Sequence, residues 1–250
     1  MRLKIQTLFF AFIFLTAISG TVRAEDVFTP EQKAAIQTIL EERLNEKPEI
    51  IIQAVDNFRA KQEQAAQEQA AQNIGKHLDW MTSADAPSAG AADADVTVVE
   101  FFDYNCGYCK RALPDVQNLL KSDSKLRVVF HEMPILSETS RTAAQWAMAA
   151  HKQGKYFEYH VAVMDHQGPQ TEEALEKIAG DLGLDVKKMK EDAGSAEIAA
   201  QIDKSAEVAR AIGINGTPAF IINGELYPGY LGEDGLKQGI EKARSGKKDG

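Results

Sequence analysis

Two cysteines, Cys106 and Cys109, are all that this 250-residue sequence contains. A scaffold stapled by several disulfides is therefore excluded, and a chain of this length buries enough surface to fold without one. No second C-x2-C accompanies the pair. A structural zinc site would have to draw its remaining ligands from the scattered His131, His151, His160 and His166. Met81, Met133, Met148 and Met164 are scattered too, and are expected to fill cores. Basic residues are in deficit: 28 Lys and Arg face 37 Asp and Glu, for a formal charge of -9. That balance argues against nucleic acid or anionic lipid as partners, since both reward Lys and Arg. Long apolar runs are missing after the first 24 residues, where no segment approaches the ~20 residues that span a bilayer.

The N-terminus carries the pattern of an export signal. Arg2 and Lys4 precede an apolar stretch from Leu8 to Ile18. Val22-Arg23-Ala24 then places small residues at the two positions that a signal peptidase reads. Residues 1–24 are expected to be a cleaved signal peptide, the alternative being an uncleaved membrane anchor. Cleavage removes three basic residues and no acid, taking the formal charge from -9 to -12. The mature chain is then exported, into a compartment where disulfides form and persist.

Residues 25–80 are expected to be helical. Thr29-Pro30-Glu31 is a helix start, with a hydroxyl N-cap, proline at the first position and an acid in the first turn. Ile36, Ile39, Leu40 and Leu44 recur at helical spacing as one apolar stripe. Pro48 breaks the pattern and can open a second helix, on which Ile51, Ile52, Val55 and Phe58 share a face. The KQEQAAQEQAAQN stretch beyond Phe58 has strong helix formers and no large apolar residue, as a spacer would. The stripe is expected to pair with copies of itself, the alternative being a hairpin folded back on the body. Residues 81–95 are small and turn-rich and are expected to be a linker.

The remainder, 96–245, alternates strand and helix patterns. VTVVEFF at 96–102 and LRVVF at 126–130 suit buried strands, with a helix from the cysteine pair between them. A helical block occupies about 137–212, PAFIING at 218–224 resumes strand character with a turn at Asn223-Gly224, and 233–245 closes as a helix. The order predicts an α/β layer fold with a helical insertion.

Four readings of NCGYCK compete. A structural clip closing so short a loop would constrain the unfolded chain by only about 2 kcal/mol. Zinc lacks a second cysteine pair, and copper(I) could bind the two thiolates alone. The redox reading has a mechanism. A strand ending at Asp103-Tyr104-Asn105 puts Cys106 at the next helix N-terminus, where free backbone N–H groups favour a thiolate. Cys106 then attacks through a mixed disulfide, and Cys109, one turn inside, resolves it. Gly107 and Tyr108 between them tune the sulfur. Tyr108 and Tyr104 either contact substrate or pack.

VEFFDYNCGYCK, Pro114 in the helix that begins there and GINGTPAFIING together resemble the DsbA-like thioredoxin-fold disulfide oxidoreductases over residues 96–240. The resemblance implies a cis-proline loop at Thr217-Pro218 facing the cysteines and holding an extended substrate. It implies a buried acid at Glu100 that assists proton transfer at Cys109, against the alternative of a surface carboxylate at a strand edge. The block at 137–212 is similar to the family's helical insertion. LNEKPEIIIQAVDNF with its Gln/Ala helix resembles the leader of ScsC-like proteins, associated with copper tolerance, in which such a segment can drive trimerisation. The resemblance implies a periplasmic disulfide isomerase or reductase, trimeric through residues 25–80. It would need no cofactor beyond the Cys106–Cys109 disulfide. It would act on misfolded or cysteine-containing exported proteins and be kept reduced by a membrane partner. A DsbA-like oxidase and a copper(I)-binding protein of copper tolerance, with the metal on Cys106 and Cys109, remain the alternatives.

Overall fold

The computed structural model describes residues 28–246. The expected signal peptide lies outside the described residues. Helix α1 (Pro30–Glu46) opens with a complete capping box, in which the Gln32 N–H donates to Thr29 Oγ1 and the Thr29 N–H to Gln32 Oε1. Pro48 ends that pattern, and α2 (Glu49–Met81) comes next. No residue of α1 is buried, and Ile39, Leu40, Ile51, Ile52 and Phe58 are all more than half exposed. Among the described residues, no helix is long and apolar enough to cross a membrane.

The chain divides into two compact units, one ending at Ala60 and the other beginning at Lys61. This corrects the boundary expected near residue 80. The polar stretch after Phe58 does run as bare helix, but Ile74 and Met81 are fully buried in the second unit. They pack with Val99, Phe101, Val129 and Ile221 on one face of the sheet. Two apolar residues seven positions apart on one helix face, too sparse to stand out beside the alanine-rich stretch, anchor the helix end: Ile74 and Met81.

The expected linker is corrected as well. Ser88–Gly90 forms strand β1, antiparallel to β3 (Leu126–Glu132), with Ala86 and Pro87 buried beside it. The Phe130 N–H donates to the Pro87 carbonyl, and the Arg127 guanidinium donates to the carbonyls of Thr82 and Ser83. Small residues made this segment look unstructured, yet smallness is what the site requires. Gly90 sits at φ 100°, and a Cβ there would overlap the Leu126 carbonyl.

Strand β2 (Val96–Phe102) lies parallel to β3, and α3 (Gly107–Ser122) crosses between them. Five helices come after β3: α4 (Glu138–Lys152), α5 (Tyr156–Asp165), α6 (Glu172–Asp181), α7 (Val186–Ala193) and α8 (Ala196–Ile212). Strand β4 (Ala219–Ile222) returns antiparallel to β2, pairs with β5 (Glu225–Pro228), and α9 (Gly232–Gly246) closes the chain. The sheet order β1-β3-β2-β4-β5 is mixed. Leu113 and Val116 of α3, Leu236 and Ile240 of α9 and the helical block share one core with Val98, Phe102 and Phe130. This is a thioredoxin-like layer fold with a helical insertion between β3 and β4.

Candidate active site

Alternation along β2 decides what lies beneath the cysteines. Val96, Val98, Glu100 and Phe102 point to the face that α3 covers, so the run VTVVEFF places a carboxyl inside the core. Glu100 is 3% exposed and faces Phe130 of β3 and Phe220 of β4 across the ladder. It is therefore not a surface carboxylate. Burial pushes its pKa up to about 8.

Cys106 is the N-cap of α3, with extended backbone and no side-chain cap of its own. It keeps 6% exposure against 1% for Cys109, so the outer sulfur is the one a partner can reach. The two are unbridged. The Cys106 thiol donates to the Thr217 carbonyl at 3.2 Å, and the Thr217–Pro218 peptide is cis. One turn deeper, burial pushes the Cys109 thiol strongly up. A hydrogen bond with the Asp103 backbone offsets part of this, and the nearby Glu100 charge and Cys106 sulfur add to the rise. Gly107 has open space where a Cβ would be.

Exposed aromatic and aliphatic side chains lie on the segments that adjoin the cysteine turn. Tyr108 is 56% exposed, with the Arg111 guanidinium 5.0 Å above its ring and Tyr230 at 6.4 Å between centroids. Ile135 and Leu136 are exposed on the loop that leads into α4. Tyr104 is fully buried, so it packs and does not contact substrate.

Sequence reasoning missed the polar network behind the cysteine turn. Glu132 Oε1 accepts from the hydroxyls of Tyr156 at 2.8 Å and Tyr104 at 3.4 Å, and Tyr104 OH lies 3.2 Å from His160 Nδ1. Burial holds Glu132 well above the carboxylate range, although the two phenols pull it back in part. Burial lowers His160 to about 3 and His131 to about 4, so both are neutral imidazoles. His131 stacks on Trp80 at 4.6 Å and sits 3.0 Å from the Met81 carbonyl. Among the described residues no three His, Cys, Asp or Glu side chains gather as a metal site. The one sequence signal for this network was period two in LRVVFHE, which puts Glu132 on the covered face.

A strand leading to a helix N-terminus that bears an outer and a more deeply buried thiol, the outer one against an X-Pro loop, defines a thioredoxin-fold dithiol protein. The family model of the DSBA-like thioredoxin domain matches residues 97–241, more than half of the chain, and the chain belongs to that family. It is similar to a thioredoxin-like oxidoreductase from Silicibacter pomeroyi DSS-3, with 41% identity, TM-score 0.64, and 67% of this chain and 97% of that one covered. A Proteus mirabilis ScsC mutant with a linker deletion shares the fold over 88% of this chain and 98% of its own, at TM-score 0.67 and 22% identity. Disulfide bond formation protein D of Bacillus subtilis is 28% identical over 64% of this chain and 78% of its own length. The chain also matches a Na+/H+ antiporter of Salinispora arenicola at 31% identity, covering 63% of this chain but only 24% of the antiporter's length.

Proposed function

We propose that this protein is a periplasmic thiol–disulfide oxidoreductase that reshuffles or reduces disulfides in exported proteins. The observation that carries the reading is the graded pair itself: an accessible Cys106 at a helix N-terminus, and Cys109 buried over Glu100. The Cys106 thiolate attacks a substrate disulfide, forming a mixed disulfide and releasing one substrate thiolate, which takes up a proton. In isomerisation that substrate thiolate attacks elsewhere in its own chain, and the rearranged thiolate expels Cys106. In reduction Cys109 gives its proton to the ionised fraction of Glu100 and attacks the Cys106 sulfur, breaking the mixed disulfide and expelling the second substrate thiolate, which takes up a proton. The Cys106–Cys109 disulfide forms and two electrons leave with the substrate. A group with a pKa near 8 suits that transfer at neutral pH. Thr217-Pro218, Gly107 and Tyr108 would hold the substrate chain, with Ile135 and Leu136 extending the apolar surface.

The leader supports isomerase work. Ile36, Ile39, Leu40 and Leu44 of α1 and Ile51, Ile52, Val55 and Phe58 of α2 are all exposed at helical spacing. An apolar row of that extent favours a partner, and a second and third copy of the same helices would bury it. Several catalytic faces would then surround one substrate. Because Ile74 and Met81 belong to the second unit, the deletion that tests this should end at Ala60 rather than at residue 80. Removing residues 25–60 is expected to give a monomer by light scattering that still exchanges disulfides but isomerises poorly. An intact mature chain that is already monomeric would end the idea. The exchange reading itself is tested by incubating the reduced protein with a scrambled, disulfide-bonded enzyme and measuring recovery of that enzyme's activity.

A further inference from the structure

The turn that presents Cys106 is gripped from outside at one residue above all. Asp103 is 1% exposed, and its side chain accepts four hydrogen bonds. Oδ1 takes the Asn105 N–H and the Ser140 hydroxyl, each at 2.7 Å. Oδ2 takes the N–H of Ile135 at 2.8 Å and of Leu136 at 3.0 Å. Its backbone carbonyl accepts the Cys106 N–H at 3.0 Å. Asn105 repeats the attachment one step on, its amide nitrogen lying 2.8 Å from Ser137 Oγ and 2.9 Å from Thr139 Oγ1. Three pieces are thus fastened to one carboxyl group: the cysteine turn, the loop bearing Ile135 and Leu136, and the first turn of α4.

Stability alone is a poor reason for such a group, since a packed apolar side chain commonly serves a core as well as a buried charge does. Direction is what the carboxylate supplies. Hydrogen bonds to an ionised acceptor are roughly twice as strong as neutral ones, and four of them leave it a single orientation. We propose that Asp103 is a positioning residue that locks the Cys106 turn to the Ile135–Leu136 rim, so that the sulfur and the surface on which a polypeptide docks keep a fixed separation. This rests on the disulfide-exchange reading of the site and names the part of it that selects an unfolded polypeptide over a small disulfide. A chain docked on Ile135 and Leu136 meets a sulfur already aimed at it. Oxidised glutathione is too small to use the rim and gains little from the lock.

The test compares Asp103→Asn with the wild-type mature chain. The amide keeps the shape but sets an N–H2 against N–H or O–H donors, breaking at least one of the pairs. The kcat/KM for an unfolded disulfide-bonded protein should fall about ten-fold, mainly through KM, because misaimed groups lose rate steeply. The rate with oxidised glutathione should change by less than about two-fold, since that substrate makes no use of the aim. Amide hydrogen exchange at Ile135 and Leu136 should accelerate. Equal losses for both substrates, or unchanged exchange at those two amides, overturn the proposal. Ser140→Ala removes one donor and leaves the anion, so it decides the matter if the asparagine variant does not fold. A selective though smaller loss supports the lock, and no selectivity overturns it. Wild-type protein inert to both substrates would count against the exchange reading instead, and amide exchange in the variants would still judge the lock.

Discussion

Cys109→Ala should convert a protein that turns over into one that stalls. Cys106 remains at the helix N-terminus and can still attack, but the buried thiol that would release it is gone. In reduction the mixed disulfide with substrate then persists, and non-reducing gels of the variant mixed with a disulfide-bonded protein should show a covalent adduct. Net reduction of substrate should fall by two orders of magnitude or more, on the order of what loss of an essential nucleophile costs. Isomerisation should survive better, because there the substrate's own thiolate expels Cys106. Cys106→Ser should abolish both. Equal adduct from Cys106→Ser and Cys109→Ala would show that the assignment of outer and inner sulfur is wrong.

Glu100→Gln is the second large effect, and it separates stability from activity. The folded carboxyl titrates near 8, while an unfolded glutamate titrates near its ordinary value of 4.5. Between those values the unfolded chain has released its proton and the native one has kept it. Wild-type stability must therefore fall as pH rises through that window. Glutamine has no proton to lose. The variant should match wild type near pH 4 and exceed it by about 4 kcal/mol near pH 8, an order-of-magnitude figure from the shift. Urea melts at the two pH values check this, and a gap independent of pH would mean that Glu100 does not titrate as described. Activity should move the opposite way. Without a carboxylate to take the Cys109 proton, the resolving step should slow by about a hundred-fold, the usual scale for a lost general base. A more stable and slower protein is the expected signature.

How much of this could be read from the sequence differs by element, for physical reasons. The α3 start, the N-cap at Thr29 and the break at Pro48 were legible because caps and prolines act within a few residues. Glu100 was legible only with the family pattern beside it, since period two puts it on a face but does not say which face is covered. Residues 61–95 misled. Their composition is that of a spacer and a linker, yet Ile74 and Met81 find partners in Val99, Phe101 and Val129, and Ser88–Gly90 finds β3. Such contacts join residues far apart in the chain, and composition carries no trace of them. Asp103 and Glu132 were hidden for the same reason. Their partners come from residues 105 and 135–140, and from Tyr104 and Tyr156, respectively. Period two in LRVVFHE puts Glu132 on one face of its strand but does not name the groups that meet it there.

Cys106, with Cys109 behind it, is proposed to exchange disulfides in other proteins and to reshuffle wrong pairings. The direct measurement is recovery of enzymatic activity from a scrambled disulfide substrate, with the reduced full mature chain, its Cys106→Ser variant and no protein run in parallel. Recovery several-fold above the no-protein rate, abolished by Cys106→Ser, is the expected result. Recovery no faster than without protein, together with rapid oxidation of free thiols by the disulfide form, would make this protein an oxidase and not an isomerase.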